Sequence, residues 1–253
     1  MIHGLGTSRR IWDDTASRLS AHRRLIALDL PGFGESDSIA EGFRLDEVAE
    51  AVAEDAAVAA GGEFDLLGHS LGGAVALLAS KRRPDLVRRL ILQAPAGFRP
   101  RSQHLAEAVS AAAPVALRAR RLIGGPLVAS ATARRILLWG AVADGGRLSP
   151  AQAAAMLGAS RATRKLRQAA KAAIVADLTG VLESVEVPVG LIWGERDPLM
   201  PRETQELIRH CRPEAPVEVV PEAGHVAQLE QPALFSGAVE RLLERMGDPI
   251  TVS

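Results

Sequence analysis

Tyrosine is absent from this 253-residue chain and aromatic residues make up only 3% of it, which argues against a stacked sugar or nucleotide site. A single cysteine, Cys211, has no internal partner, and without CxxC, HExxH or paired Cys/His spacing the sequence asks for no structural or catalytic metal. Cys211 reads as a packing residue near a helix end. No apolar run reaches the ~18 residues that a membrane helix needs, so no membrane association is expected. The opening MIHGLGTSRR lacks the charged start, long apolar segment and cleavage site of a secretory signal, which predicts a cytoplasmic protein. Thirty basic side chains cancel thirty acidic ones, so the basic excess of a nucleic-acid binder is missing. Nothing in the chain calls for a cofactor, and nothing fixes an oligomeric state.

What is present is a soluble globular composition, 47% apolar and 24% charged, in a chain long enough for an ample core. Short runs rich in Val, Ile and Leu alternate with helical stretches, which predicts an α/β fold with a mostly parallel, doubly wound sheet. Strands are expected at Arg23 to Pro31, Phe64 to Gly68, Arg88 to Ala94, Val189 to Gly194 and Val217 to Pro221. Helices are expected at Phe43 to Ala60, Leu71 to Arg83, Pro201 to Cys211 and Gln231 to Met246. From residue 95 to 184 the strand runs stop, Ala and Arg dominate, and helical spacing persists. The chain therefore divides into a core, 1–94 and 185–253, and a helical insertion, 95–184. Inside the insertion, Ser149-Pro150-Ala151-Gln152 has a capping residue, a first-turn proline and a third-position glutamine, the signature of a helix start.

The chemistry concentrates at LLGHSLGG, where an apolar run stops on Gly68-His69-Ser70-Leu71-Gly72 and a helix begins. A G-x-S-x-G turn between strand and helix lifts the serine hydroxyl above the sheet, and its glycines let neighbouring backbones approach. A serine hydroxyl is a weak nucleophile until a base takes its proton, and the base needs an acid to orient it. Asp197, just after one strand, and His225, just after the next, supply that pair in the order Ser, acid, His. His69 lies inside the turn but its ring should point away from the hydroxyl, which suits packing. Glu195 competes with Asp197 for the acid's role, and Glu230 is expected to brace the histidine loop or cap a helix.

Five motifs run in family order: HGLG (His3 to Gly6), DLPGFGESD (Asp29 to Asp37), GHSLGG, WGERD and AGHVAQLEQP. With them the chain resembles the α/β-hydrolase family over nearly its whole length outside the insertion. The resemblance implies Ser70 as nucleophile, His225 as general base and later acid, Asp197 as its orienting carboxylate, and the N–H groups of Leu5 and Leu71 as an oxyanion hole. It also implies that the insertion forms a helical cap over the serine. Within it, Ile136 to Trp139 and Met156-Leu157 offer apolar surface that packs the cap or lines the pocket, and Trp139 and Met156 are the residues expected at the pocket. The chain departs from the family at its start: two further strands usually precede the HG loop, and here only Met1-Ile2 stands before it. A trimmed or misassigned start, or a sheet that does without those strands, would each account for this.

The insertion holds thirteen basic residues against four acidic ones, so the neutral total hides a strongly positive insertion and an equally negative remainder. That excess reads either as a solvated helix surface or as attraction for an anionic substrate, a phosphorylated thioester carrier or an acidic partner protein. Three functions stay open: hydrolysis of a small or medium carboxylic ester or lactone, thioesterase or acyltransferase action on a carrier-bound acyl group, and ligand binding by a relative whose triad is idle.

Overall fold

In a computed structural model of the chain, the structure describes residues 1–37, 42–98, 127–157 and 165–247, together with positions 115 and 119. Most of the first half of residues 95–184, the expected insertion, thus lies outside the described residues. The regular sheet is parallel throughout, with β1 (Phe64–His69), β2 (Val87–Gln93), β3 (Val189–Gly194) and β4 (Val217–Val220) in spatial order β1-β2-β3-β4. Parallel strands need crossovers, and helices supply them: α1 (Asp13–Leu19), α2 (Leu45–Ala60) and α3 (Leu71–Arg82) in the first half. Residues 95–184, expected as an insertion, contribute α4 (Ala131–Leu137), α5 (Pro150–Leu157), α6 (Leu166–Val175) and α7 (Thr179–Ser184). The last third adds α8 (Arg202–Cys211), α9 (Ala227–Glu230) and α10 (Pro232–Met246).

Strand alternation sorts the core into two layers. Leu66, Leu90, Leu92, Leu191 and Trp193 face one side and pack with Val48, Val52, Leu71 and Val75 from α2 and α3. Their neighbours Leu67, Ile91 and Ile192 face the other side and pack with Leu19 of α1 and Phe235, Val239 and Leu242 of α10. Pairing keeps the two sets in register, with Leu66 beside Leu90 and Leu92 beside Leu191. A strand buried on both faces has no polar side to show, which is why these runs are continuously apolar.

The segment expected as a strand from Arg23 to Pro31 forms only an isolated parallel bridge, Ile2 to Leu28, while Ile2 also bridges Gly68. The reason lies in what stands between that segment and β1. Ile2 donates its N–H to Leu67 (2.8 Å) and accepts from His69 (3.0 Å), and Leu28 donates to Met1 (3.1 Å). With Ile2 bridging both sides at a single position, the contact stays one rung long. Towards Phe64 the outer edge of β1 borders an apolar cavity of about 370 Å³ instead. The regular sheet among the described residues has four strands.

The expected helix start at Ser149 is a reciprocal capping box. Gln152 N–H donates to Ser149 Oγ (3.2 Å) and Ser149 N–H donates to Gln152 Oε1 (2.9 Å). The Gln152 amide also donates to Asp14 of α1 (2.8 Å) and to the Leu229 carbonyl (3.2 Å), which fastens α5 to the core. No helix among the described residues is long and apolar enough to cross a membrane.

Candidate active site

β1 delivers the chain to Ser70 with φ 53° and ψ −116°, a left-handed conformation that a side chain resists. The surroundings hold it there. Ser70 N–H donates to the Gln93 carbonyl (3.0 Å), and its own carbonyl accepts from Gly73 (2.9 Å), Ala74 (3.1 Å) and Ala96 (3.0 Å). The flanking glycines are sterically required: a Cβ on Gly68 would run into the Gly72 carbonyl, and one on Gly72 into the carbonyls of Ile2 and His3. Helix α3 starts at Leu71, so its first N–H groups and positive dipole end sit beside the serine. Leu5 follows Gly4, where an added Cβ would meet the His69 ring at 2.8 Å and Ser70 Cβ at 3.2 Å. Neither the Leu5 nor the Leu71 N–H donates to a backbone or side-chain acceptor among the described residues.

His225 and Asp197 meet. The Nδ1–H of His225 donates to Asp197 Oδ2 (2.9 Å), and the Asp197 side chain is fully buried. Its other oxygen, Oδ1, accepts from the N–H groups of Leu199 (2.8 Å) and Met200 (3.1 Å), so the carboxylate cannot swivel. With Nδ1 committed as donor, the lone pair of His225 is on Nε2. The imidazole also packs against the ring of His69, the residue before Ser70, at 4.8 Å between centroids. Glu195 takes no part in this pair: its Oε2 accepts from the Glu222 N–H (3.0 Å) and ties β3 to the loop after β4.

Sequence reasoning gave His69 a packing role, and the structure adds a hydrogen bond. Its Nε2–H donates to the His225 carbonyl (3.0 Å), which a second donor, Gln93 Nε2, also approaches (3.4 Å). Gln93 bonds Gln228 in turn. All three side chains are buried. Gln93 and Gln228 were missed in the sequence, although a glutamine closing the apolar run LILQ is the signal that could have found the first. Burial, together with the nearby His225, holds the His69 imidazole well below the ordinary histidine range, so it stays neutral.

His3 is likewise buried and neutral. Its Nδ1–H donates to the Gly4 carbonyl (2.8 Å) and its Nε2 accepts from the Leu30 N–H (3.0 Å), pinning the loop that carries Leu5. Burial lowers its pKa to about 4. Because the folded value lies below the unfolded one, the unfolded chain takes up the proton first, and stability is lost as pH falls from ~6.5 towards ~4. The loss from this group reaches about 3 kcal/mol at about 1.4 kcal/mol per pH unit. Urea unfolding between pH 7 and 4 should show this slope, and His3→Gln should remove one proton's share of it. An unchanged slope in that variant would count against the buried neutral His3.

Of the expected pocket-lining residues, Trp139 is 77% exposed, and Met156 is partly buried against the second core layer. Neither borders the cavity along β1 or the one between Arg9, Asp29 and Ala151. Glu230 braces the histidine loop, as expected, by accepting from the Gly224 N–H, and it accepts from Ala143 of the insertion as well. Burial raises its pKa above the ordinary glutamate range.

Comparison with known proteins gives this geometry a context. The pattern of the alpha/beta hydrolase family matches residues 1–238. A pimeloyl-[acyl-carrier protein] methyl ester esterase from Neisseria meningitidis serogroup C is 32% identical, over 96% of this chain and 92% of that protein. The dihydrolipoyllysine-residue acetyltransferase component of the acetoin cleaving system of Pseudomonas putida is 33% identical, over 91% of this chain and 59% of that one. Among solved structures, a thermophilic esterase from Thermogutta terrifontis superposes with a TM-score of 0.76 at 24% identity, over 97% of this chain and 88% of that one.

Proposed function

Because the chain belongs to the alpha/beta hydrolase family, we propose that it is a cofactor-independent serine hydrolase that cleaves a carboxylic ester through an acyl-enzyme on Ser70. The observation that supports this reading is the 2.9 Å bond between His225 and Asp197, in a chain whose His225 ring packs on that of His69, the residue before Ser70 on its strained turn. In the proposed cycle, His225 Nε2 takes the hydroxyl proton as Ser70 Oγ attacks the ester carbonyl carbon. The N–H groups of Leu5 and Leu71 receive the oxyanion. His225 then passes its proton to the departing alkoxide, leaving the acyl group on Ser70. Water, deprotonated by His225, attacks that acyl group, and the carboxylic acid leaves as Ser70 recovers its proton.

We assign residues 95–184 as a cap over this site and an acidic acyl carrier as the partner of its basic residues, seven of which lie outside the described residues. The support is the insertion's charge excess and the carrier-bound methyl ester named for the Neisseria relative. The same charge excess favours a second reading, in which the bond cut is the thioester to the carrier itself. The test compares kcat/KM on a short p-nitrophenyl ester, a methyl ester of a carrier-bound acyl chain and an acyl thioester, at low and high salt. The expected result is ester cleavage throughout, with only the carrier substrate losing rate as salt screens the cap. Preference for the thioester selects the second reading, and failure of a fluorophosphonate probe to label Ser70 refutes both.

A further inference from the structure

Two backbones that lie far apart in sequence touch at the back of the histidine loop. Gly224 packs so closely on Val142 and Ala143 that an added Cβ would come within 2.6 Å of the Ala143 nitrogen. The His225 N–H donates to the Ala141 carbonyl (3.0 Å). Glu230 lies at the end of α9, five residues beyond His225, and divides its carboxylate between the two backbones: Oε1 accepts from Gly224 (2.9 Å) and Oε2 from Ala143 (2.7 Å). The ion pair of Arg147 with Glu222 (3.0 Å) ties the same regions together, but it is exposed and weakened by water.

We propose that Glu230 is a positioning residue that couples the insertion to the base, by fixing the histidine loop against Ala141–Ala143 and so holding the His225 imidazole in line with Ser70. The inference rests on the reading of His225 as general base. A carboxylate suits the place because each of its oxygens accepts, and two N–H groups converge on it from different directions. Glutamine has nearly the same shape but turns an amide N–H₂ towards one of those donors. It can therefore keep one tie and must lose the other. Misplacement of a base by a fraction of an ångström slows proton transfer while leaving substrate contacts alone, so the expected signature lies in kcat.

Glu230→Gln should fold, lower kcat on a p-nitrophenyl ester by on the order of tenfold, leave KM unchanged, and speed amide hydrogen exchange at Ala143 or Gly224. Its rate of Ser70 labelling by a fluorophosphonate should fall in parallel. In a His225→Ala background the same substitution should cost nothing further, because Glu230 acts through that imidazole. A purely structural brace would instead lower Tm and speed exchange with kcat intact, and that result overturns the proposal, as does full additivity with His225→Ala. If Glu230→Gln does not accumulate as folded protein, Glu230→Asp, which keeps the charge but shortens the reach, is judged by the same outcomes. Should the wild-type chain neither label nor hydrolyse esters, the hydrolase reading has failed instead, and faster exchange in the variant still reports the tie.

Discussion

Ser70→Ala should leave ester hydrolysis on the order of 10⁴- to 10⁶-fold below wild type, with the protein still folded. The size follows from the proposed chemistry: without Oγ there is no acyl-enzyme, and the remaining N–H donors can only polarise a carbonyl for attack by unactivated water. The fold should survive because the elbow is held by backbone groups. The Ser70 N–H and carbonyl make four bonds to Gln93, Gly73, Ala74 and Ala96, and alanine keeps them all. Alanine also bears the same left-handed φ, so the strain at this position is unchanged. The check is a kcat measurement beside a thermal melt and fluorophosphonate labelling. Turnover within tenfold of wild type would remove Ser70 from the mechanism.

Asp197→Asn is the second large effect, with an expected kcat loss of about 10³- to 10⁴-fold and little change in KM. The local bonding dictates how it fails. Oδ1 of Asp197 accepts two backbone N–H groups, from Leu199 and Met200, and in the variant the amide oxygen will keep that place because an N–H₂ there would meet two donors. The amide nitrogen then faces His225 Nδ1, where the carboxylate oxygen had been. The imidazole must accept at Nδ1, so its proton moves to Nε2, which can no longer take one from the serine. Nitrogen NMR of the imidazole would report the tautomer directly. A variant that retained both the Nδ1–H form and near-normal kcat would show that Asp197 does not set the base.

Much of the fold could be read from residue pattern. The four regular strands and the helices at Leu45, Leu71, Arg202 and Pro232 lie within a few residues of where apolar runs and helical spacing put them, because pleat and helix periodicities are local properties. The exception, Arg23 to Pro31, has the composition of a strand but pairs at one bridge only. Strand composition specifies a pleated surface, whereas a ladder also requires a partner of matching length. For the candidate site, the strained turn at Ser70 and the pairing of Asp197 with His225 were legible because the roles proposed for these residues restrict residue type and position in the chain. Met156 and Trp139 had no such restriction, and their places depend on how the helices between residues 127 and 184 pack.

By itself the sequence determined the order of strands and helices, the turn that exposes Ser70, and the three residue types on which the proposed chemistry depends. Only the tertiary structure decided what steadies them. His69 reaches the His225 carbonyl across 156 positions of chain, and Glu230 reaches Ala143 across 87. Such bonds depend on how closely separate backbones approach once the two core layers close around the sheet. Local periodicity carries no record of that distance, and a histidine or glutamate in a motif looks the same whether it faces water or a buried partner.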